Sequence, residues 1–196
     1  MTSVNDAPVA TPQSVTTAED TATNITLAAT DVDTGDTLTY SIVTSPDPLK
    51  GALSGTPPNV TYTPVANFHG TDSFTFKAYD GTDYSTPATV DLTVTSVNDA
   101  PVATPQSVTT ARDTATNITM SATDVDTGDT LTYSIVTGPT RGSLSSISGA
   151  VVTYTPAANY SGADSFTFKA NDTHADSNEA TVTLTVTAPG TVFMVQ

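Results

Sequence analysis

Asp72-Ser73-Phe74-Thr75-Phe76-Lys77-Ala78-Tyr79-Asp80 puts Phe74, Phe76 and Ala78 on one side of an extended chain and Ser73, Thr75 and Lys77 on the other. A two-residue period of this kind marks a strand with one face in a core and one in water, the usual state of an antiparallel sheet. The same alternation runs through Ala88, Val90, Leu92 and Val94, through Leu38, Tyr40 and Ile42, and through Ile25 and Leu27. The polar partners are largely Thr, whose β-branch suits a pleated surface. Turn residues recur every ~8–12 positions, the spacing of a sandwich. Seven strands are expected, near 13–17, 23–29, 37–44, 51–54, 59–63, 72–79 and 87–95, with Tyr40, Tyr62, Phe74 and Phe76 in the core.

Outward from this strand, the pattern repeats. Asp164 to Asp172 reads DSFTFKAND, Ala122–Thr137 copies Ala29–Thr44, and Val97–Ala111 copies Val4–Ala18 (VNDAPVATPQSVTTA) letter for letter. The copies differ in length between 45–59 and 138–150, which reads as a surface loop. The chain is therefore expected to be all-β: two tandem seven-stranded β-sandwiches over 1–96 and 97–196, with a linker around 96–101. Immediately after the identical fifteen residues, Glu19 in the first copy is replaced by Arg112 in the second.

Composition narrows the function. The 196 residues carry 20 acidic against 5 basic side chains, a net charge of −15. That balance disfavours nucleic acid, whose phosphates need Lys and Arg, and suits metal cations. No Cys is present, so disulfides and thiolate metal sites are excluded. No stretch approaches the ~18 apolar residues of a membrane helix, and no membrane insertion is expected. Met1-Thr2-Ser3 lacks the architecture of a signal peptide and reads as the start of an excised piece. No nucleophile elbow or other catalytic motif appears, and His69 and His174 are not at equivalent positions. The expectation is a protein that is not an enzyme.

VNDAP at a domain junction, DVDxGDxLTYS, YTPxxNxxGxDSFTF and a closing TVxLTVT resemble bacterial cadherin-like, or Ig-like, tandem repeats of secreted and surface adhesin-type proteins. The resemblance covers nearly the whole chain, twice. It implies cadherin-like sandwiches, an extracellular or cell-surface location, and Ca²⁺ held between successive domains. Matched by motif, the interdomain ligands are Glu19 and Asp72 from the first copy, with Asn98, Asp99, Asp124, Asp126 and Asp172 from the linker and the second copy. Ser96 stands where cadherins begin the linker with Asp, and Ser73-Phe74 follow where they carry another acid. One or two ions are therefore implied instead of three. Asn5, Asp6, Asp31, Asp33 and Asp80 form a weaker half-site whose complement would come from a preceding domain.

The chemistry agrees with the resemblance. Ca²⁺ takes 6–8 oxygen ligands at ~2.3–2.6 Å, and an acidic chain without Cys supplies oxygen and little else. Two like charges ~4 Å apart cost about 1 kcal/mol in water and about 4 at an effective dielectric of 20. Gathered carboxylates are thus unstable empty and stable when filled, which turns metal binding into domain-orienting free energy. The Pro of Asn-Asp-Ala-Pro holds Ala100 extended and stiffens the linker. Arg112 would repel a cation, and no second Asn-Asp-Ala-Pro follows it in 187–196.

Two functions remain open. One is a calcium-braced rigid spacer or adhesion segment of a larger bacterial protein, its partners being the neighbouring repeats. The other is a module binding polysaccharide or another cadherin-like domain, for which Tyr79 and Tyr84, found in the first copy only, could present a flat ring face to a sugar or simply cover a sandwich edge.

Overall fold

A computed structural model describes residues 4–188. The first three residues and the tail from 189 onward, on which the expectations about an excised start and a missing second linker fall, lie outside the described residues. The chain divides into two compact units, Met1–Val97 and Asn98–Gln196.

The first unit contains β1 (Val9–Ala10), β2 (Gln13–Ala18), β3 (Thr23–Thr26), β4 (Ala29–Thr30), β5 (Thr39–Thr44), β6 (Gly51–Thr56), β7 (Asn59–Pro64), β8 (Gly70–Tyr79) and β9 (Ala88–Thr95). A four-stranded sheet in the order β2-β9-β8-β5 faces a three-stranded sheet in the order β3-β7-β6, and β1 pairs with β4 in a short ribbon. The second unit repeats this with β10 (Val102–Ala103), β11 (Gln106–Ala111), β12 (Thr116–Thr119), β13 (Ala122–Thr123), β14 (Thr132–Thr137), β15 (Gly142–Leu144), β16 (Val151–Pro156), β17 (Gly162–Asn171) and β18 (Ala180–Thr187).

Alternation does what the sequence predicts. In β9 and β18 every second residue is buried. Phe74, Phe76, Val90, Leu92, Ile25, Val60 and Tyr62 fill the first core, with Tyr40 and Ile42 packed against it. Phe166, Phe168, Val182, Leu184, Ile118, Val152 and Tyr154 fill the second. Burial of one such side chain contributes about 1.5–3 kcal/mol, so these alternating faces dominate the stability of each sandwich.

Two details correct the seven-strand expectation. The predicted strand at 23–29 breaks into β3 and β4 because Leu27 N turns to Pro58 O (2.8 Å) while Ala28 O accepts from Thr11 N (2.9 Å). A short strand that was not expected, β1, also precedes the expected first strand. Pro12, which has no amide hydrogen, separates β1 from β2, and β2 joins the other sheet. There it runs parallel to β9, Gln13 opposite Val90 and Ala18 opposite Thr95, where antiparallel pairing was expected throughout. Period-two burial looks alike in both orientations, so sequence alone could not separate them.

This topology gives each unit two ends. β8 rises from a lower end at Gly70 to an upper end at Tyr79, and β5 starts opposite it at Thr39. The loops 31–38 and 80–87 and the segment before β1 therefore share the upper end. Glu19, His69 and the close of β9 share the lower one.

Candidate metal centre

The upper end of the second unit is tied together by its acids. Asn98 Nδ2 donates to Asp172 Oδ2 (2.9 Å), Asp99 N donates to Asp126 Oδ2 (2.8 Å), and Asp126 N donates to Asp124 Oδ1 (3.0 Å). Asp172 is 1% exposed and its Oδ1 accepts from His174 N and Ala175 N, both at 2.6 Å. Hydrogen bonds from Ala175 N and the Asn98 amide outweigh the opposing effect of burial and hold the Asp172 carboxyl at about 2. It stays ionised at any ordinary pH.

The first unit repeats the clasp. Asn5 Nδ2 donates to Asp80 Oδ2 (3.1 Å) and Asp83 Oδ2 (3.0 Å), Asp6 N to Asp33 Oδ2 (2.8 Å), and Asp33 N to Asp31 Oδ1 (2.9 Å). Backbone hydrogen bonds from Asp83 and Thr82 lower the Asp80 carboxyl below its usual range. The recurrence of Asn-Asp-Ala-Pro thus has a local cause. Its Asn reaches the acid ending the long strand, and its Asp backbone pins the second acid of Asp-Val-Asp.

Among the described residues, one buried carboxylate oxygen per unit is left over. Asp31 Oδ2 and Asp124 Oδ2, at equivalent positions, are buried with no hydrogen-bond partner. A buried polar atom without a partner costs about 1–3 kcal/mol. Both lie beside further acids: carboxylate oxygens of Asp31, Asp33 and Asp36 lie within 4.8 Å of one another, as do those of Asp124, Asp129 and Asp172. Crowded carboxylate oxygens with an unsatisfied member are the donor set of a hard cation, so the residues present fit Ca²⁺. Asp36, Asp129 and Asp83 were absent from the sequence-derived set. The spacing Asp31-x-Asp33-x-x-Asp36 was the available signal.

The lower end is organised differently. Glu19 is 4% exposed; its Oε1 accepts from Val97 N (2.7 Å), and its Oε2 lies 3.9 Å from His69 Nδ1. A buried acid therefore grips the residue just before Asn98-Asp99. Asp72 is engaged inside its own sandwich, accepting from Tyr62 Oη (3.0 Å), Asp47 N (3.2 Å) and Ser73 N (2.8 Å). Asp164 does the same in the second unit with Tyr154 Oη (2.8 Å), Thr140 N (2.9 Å), Arg141 N (2.9 Å) and Ser165 N (3.0 Å). The recurrence makes this carboxylate an anchor for the loop after β5 and β14. Arg112 lies 3.7 Å from Asp113 through Nε, and that Nε makes no hydrogen bond among the described residues. His174 is exposed, as expected of a loop residue.

The aromatic pair of the first copy is also in place. Tyr79 and Tyr84 stack with centroids 4.5 Å apart, Lys77 Nζ sits 3.6 Å over the Tyr84 ring, and Tyr84 is 55% exposed. The pair stacks at the end of β8 and leaves the Tyr84 ring facing solvent.

Comparison with known proteins separates fold from function. Among solved structures, the first two domains of human mucin-like protocadherin align over 92% of this chain and 98% of that one, at 19% identity and a TM-score of 0.52. Domains 1–4 of protocadherin gamma B7 align over 94% and 52%, at 19% identity and 0.50. At that identity the likeness is one of fold alone. An endo-fucoidan hydrolase of glycoside hydrolase family 107 aligns at 25% identity, but the chain spans 29% of its length and the TM-score is 0.39, too low to support an inference. No curated protein matches the chain. Among the described residues no helix is long and apolar enough to cross a membrane. The sequence pattern of the bacterial Ig domain matches residues 5–93 and again 98–185, so the chain belongs to that family and carries its domain twice in tandem.

Proposed function

We propose that these tandem bacterial Ig domains form a calcium-braced extracellular segment, a rigid spacer or adhesion module within a larger surface or secreted protein. The observation that carries this reading is Asp124 Oδ2, a buried carboxylate oxygen without a partner set among the acids of Asp129 and Asp172. Bound there, Ca²⁺ would supply the missing counter-charge. Asn98, Asp99, Asp124, Asp126 and Asp172 would hold it from the second copy. Glu19 would contribute from the first, since it already secures Val97, the residue before the linker. Asp72 would act as the brace of the lower loops through Tyr62.

Calorimetric titration of the whole chain with CaCl₂ tests the junction. Asp99→Ala and Glu19→Gln are each expected to weaken the same site by tenfold or more. Unchanged binding in both variants would remove the junction.

The second reading, retention of polysaccharide, is favoured by the solvent-facing Tyr84 stacked on Tyr79. Stacking of a sugar on such a face would be lost in Tyr84→Ala, whereas a spacer binds no polysaccharide column with or without that ring. Homotypic association would show as a concentration-dependent mass in solution.

A further inference from the structure

We infer that the Asp47-Pro48 peptide bond of the first copy is a self-cleavage site, hydrolysed through attack of the Asp47 carboxyl on its own main-chain carbonyl. The inference needs no bound ion and stands apart from the calcium reading. The bond lies in the loop where the copies differ in length. Asp47 N donates to Asp72 Oδ1 (3.2 Å) and Thr140 N to Asp164 Oδ1 (2.9 Å), so Asp47 and Thr140 hold equivalent places. Pro48 and Leu49 then separate Asp47 from Lys50, whereas Arg141 follows Thr140 directly. The insertion gives the first copy an Asp-Pro bond that the second copy lacks.

The chemistry of this pair is particular. The Asp carboxyl is spaced to close a five-membered ring on its own carbonyl carbon, and an intramolecular attack avoids the entropy of bringing two molecules together. The proline nitrogen carries no hydrogen and two carbon substituents besides the carbonyl, so it accepts a proton and departs more readily than an ordinary amide nitrogen. With its proton on, the carboxyl forms a C–O bond to the carbonyl carbon. The proton passes to the Pro48 nitrogen and the C–N bond breaks. The products are a cyclic anhydride on Asp47 and a free secondary amine on Pro48. Water then opens the anhydride to two carboxyl groups. The sum is hydrolysis of one peptide bond, with no electron transferred. Because the carboxyl must carry its proton, the rate rises as the pH falls.

The fold supplies what a free chain lacks. Asp47 O accepts from Lys50 N (2.9 Å) and Gly51 N (3.0 Å), two main-chain donors on the oxygen that gains negative charge during the attack. One such donor contributes about 10²–10³ in rate in enzymes that use them. Asp47 Oδ1 accepts from Leu49 N (2.9 Å), which holds the carboxyl on the Pro48 side of its residue. These groups are fixed from the core. A Cβ on Gly51 would run into the ring of Tyr62, which is fully buried and donates to Asp72 Oδ2 (3.0 Å). Asp72 in turn holds Asp47 N, and Lys50 Nζ donates to Thr71 O (3.0 Å). The turn is thus anchored on both sides of the bond. Asp47, Pro48 and Leu49 are exposed, so water reaches the anhydride.

Scission does not part the pieces at once. Residues 1–47 and 48–196 remain paired through β2 with β9, β3 with β7 and β5 with β8. The first copy becomes a joint held by sheet pairing alone, which separates when that sandwich unfolds.

The test is incubation of the full chain in mildly acidic buffer, with circular dichroism showing that it stays folded. Beside it runs a synthetic peptide of residues 44–52, which carries the same bond without the fold. Mass spectrometry and N-terminal sequencing read the fragments. The folded chain is expected to yield 1–47 and 48–196, the second beginning at Pro48, at about tenfold the peptide rate or more. The two pieces should co-elute until urea separates them. Asp47→Glu, whose anhydride ring is larger, and Pro48→Ala should each slow scission about tenfold or more. Cutting of the folded chain no faster than the peptide would overturn the inference, and the turn would then be only an Asp cap with Pro behind it. Asp47→Glu cutting as fast as wild type would also overturn it, because the carboxyl would not be the nucleophile. The comparison of wild type with peptide holds whether or not either variant folds.

Discussion

Lys77 and Lys169 occupy the same place on the same strand, and the two copies finish that corner with different chemistry. In the first, Lys77 lies over Tyr84, which stacks on Tyr79. In the second, Lys169 approaches Asp176 (3.9 Å), and Asn171 Nδ2 donates to the same carboxylate (2.8 Å). The backbone beneath is unchanged: Tyr79 bridges Tyr84 as Asn171 bridges Asp176. A buried serine explains why. Ser85 Oγ accepts from Ala78 N (3.0 Å) and Ser177 Oγ from Ala170 N (2.9 Å), which fixes the loop from the inside and frees its outer residues to vary. At the lower ends the contrast is one of charge, a buried Glu19 against Arg112. At the lysine corner the two copies thus keep the inner hydrogen bond and differ in what they show to solvent.

The largest test of that comparison is the internal anchor. Asp164 is buried to 8% exposure and accepts from two loop amides, while Asp72 is half-buried and accepts from one. Asp164→Ala is expected to destabilise the second copy by about 2–4 kcal/mol and Asp72→Ala the first by about 1–3, because lost partners strand buried donors. Urea unfolding followed by hydrogen exchange, which distinguishes the copies, reads both. Equal losses would mean that the extra amide contributes nothing.

Next is acid stability. Burial alone would push the Asp164 carboxyl up, but hydrogen bonds from Thr140 N, Tyr154 Oη, Ser165 N and Arg141 N outweigh it and leave the group below the usual range. A depressed folded value stabilises above the unfolded pKa of ~3.9 and loses that contribution as pH falls through the folded value. In EDTA the second copy should therefore weaken below about pH 4, and Asp164→Asn should flatten the slope. A slope that persists in the variant assigns the effect to other carboxyls.

The smallest effect is at the lysine corner. An aromatic pair and a cation over a ring together contribute about 1–2 kcal/mol, whereas an exposed ion pair gives about 0–1 and is screened by salt. Tyr84→Ala should thus lower the first unfolding midpoint more than Asp176→Ala lowers the second, and only the latter difference should vanish at high salt. A salt-sensitive Tyr84→Ala would indicate that charge, not stacking, holds the first corner.

Much of the molecule was legible from residues alone. The alternation around Phe74 and Phe76, the doubled Val4–Ala18 and the Thr-rich outer faces determined two β-sandwiches in tandem, because side-chain direction in a strand is a local property with a period of two. The acids of Asp-Val-Asp and Asn-Asp-Ala-Pro stood out as a candidate cluster for the same reason: they sit in short motifs. Tertiary structure alone decided that β2 runs parallel to β9, that Asp72 serves Tyr62, and that Asn98 reaches Asp172. Each of these depends on where separate segments meet after folding. Distances of a few ångströms between carboxylates arise from loop closure and core packing, which no local period encodes.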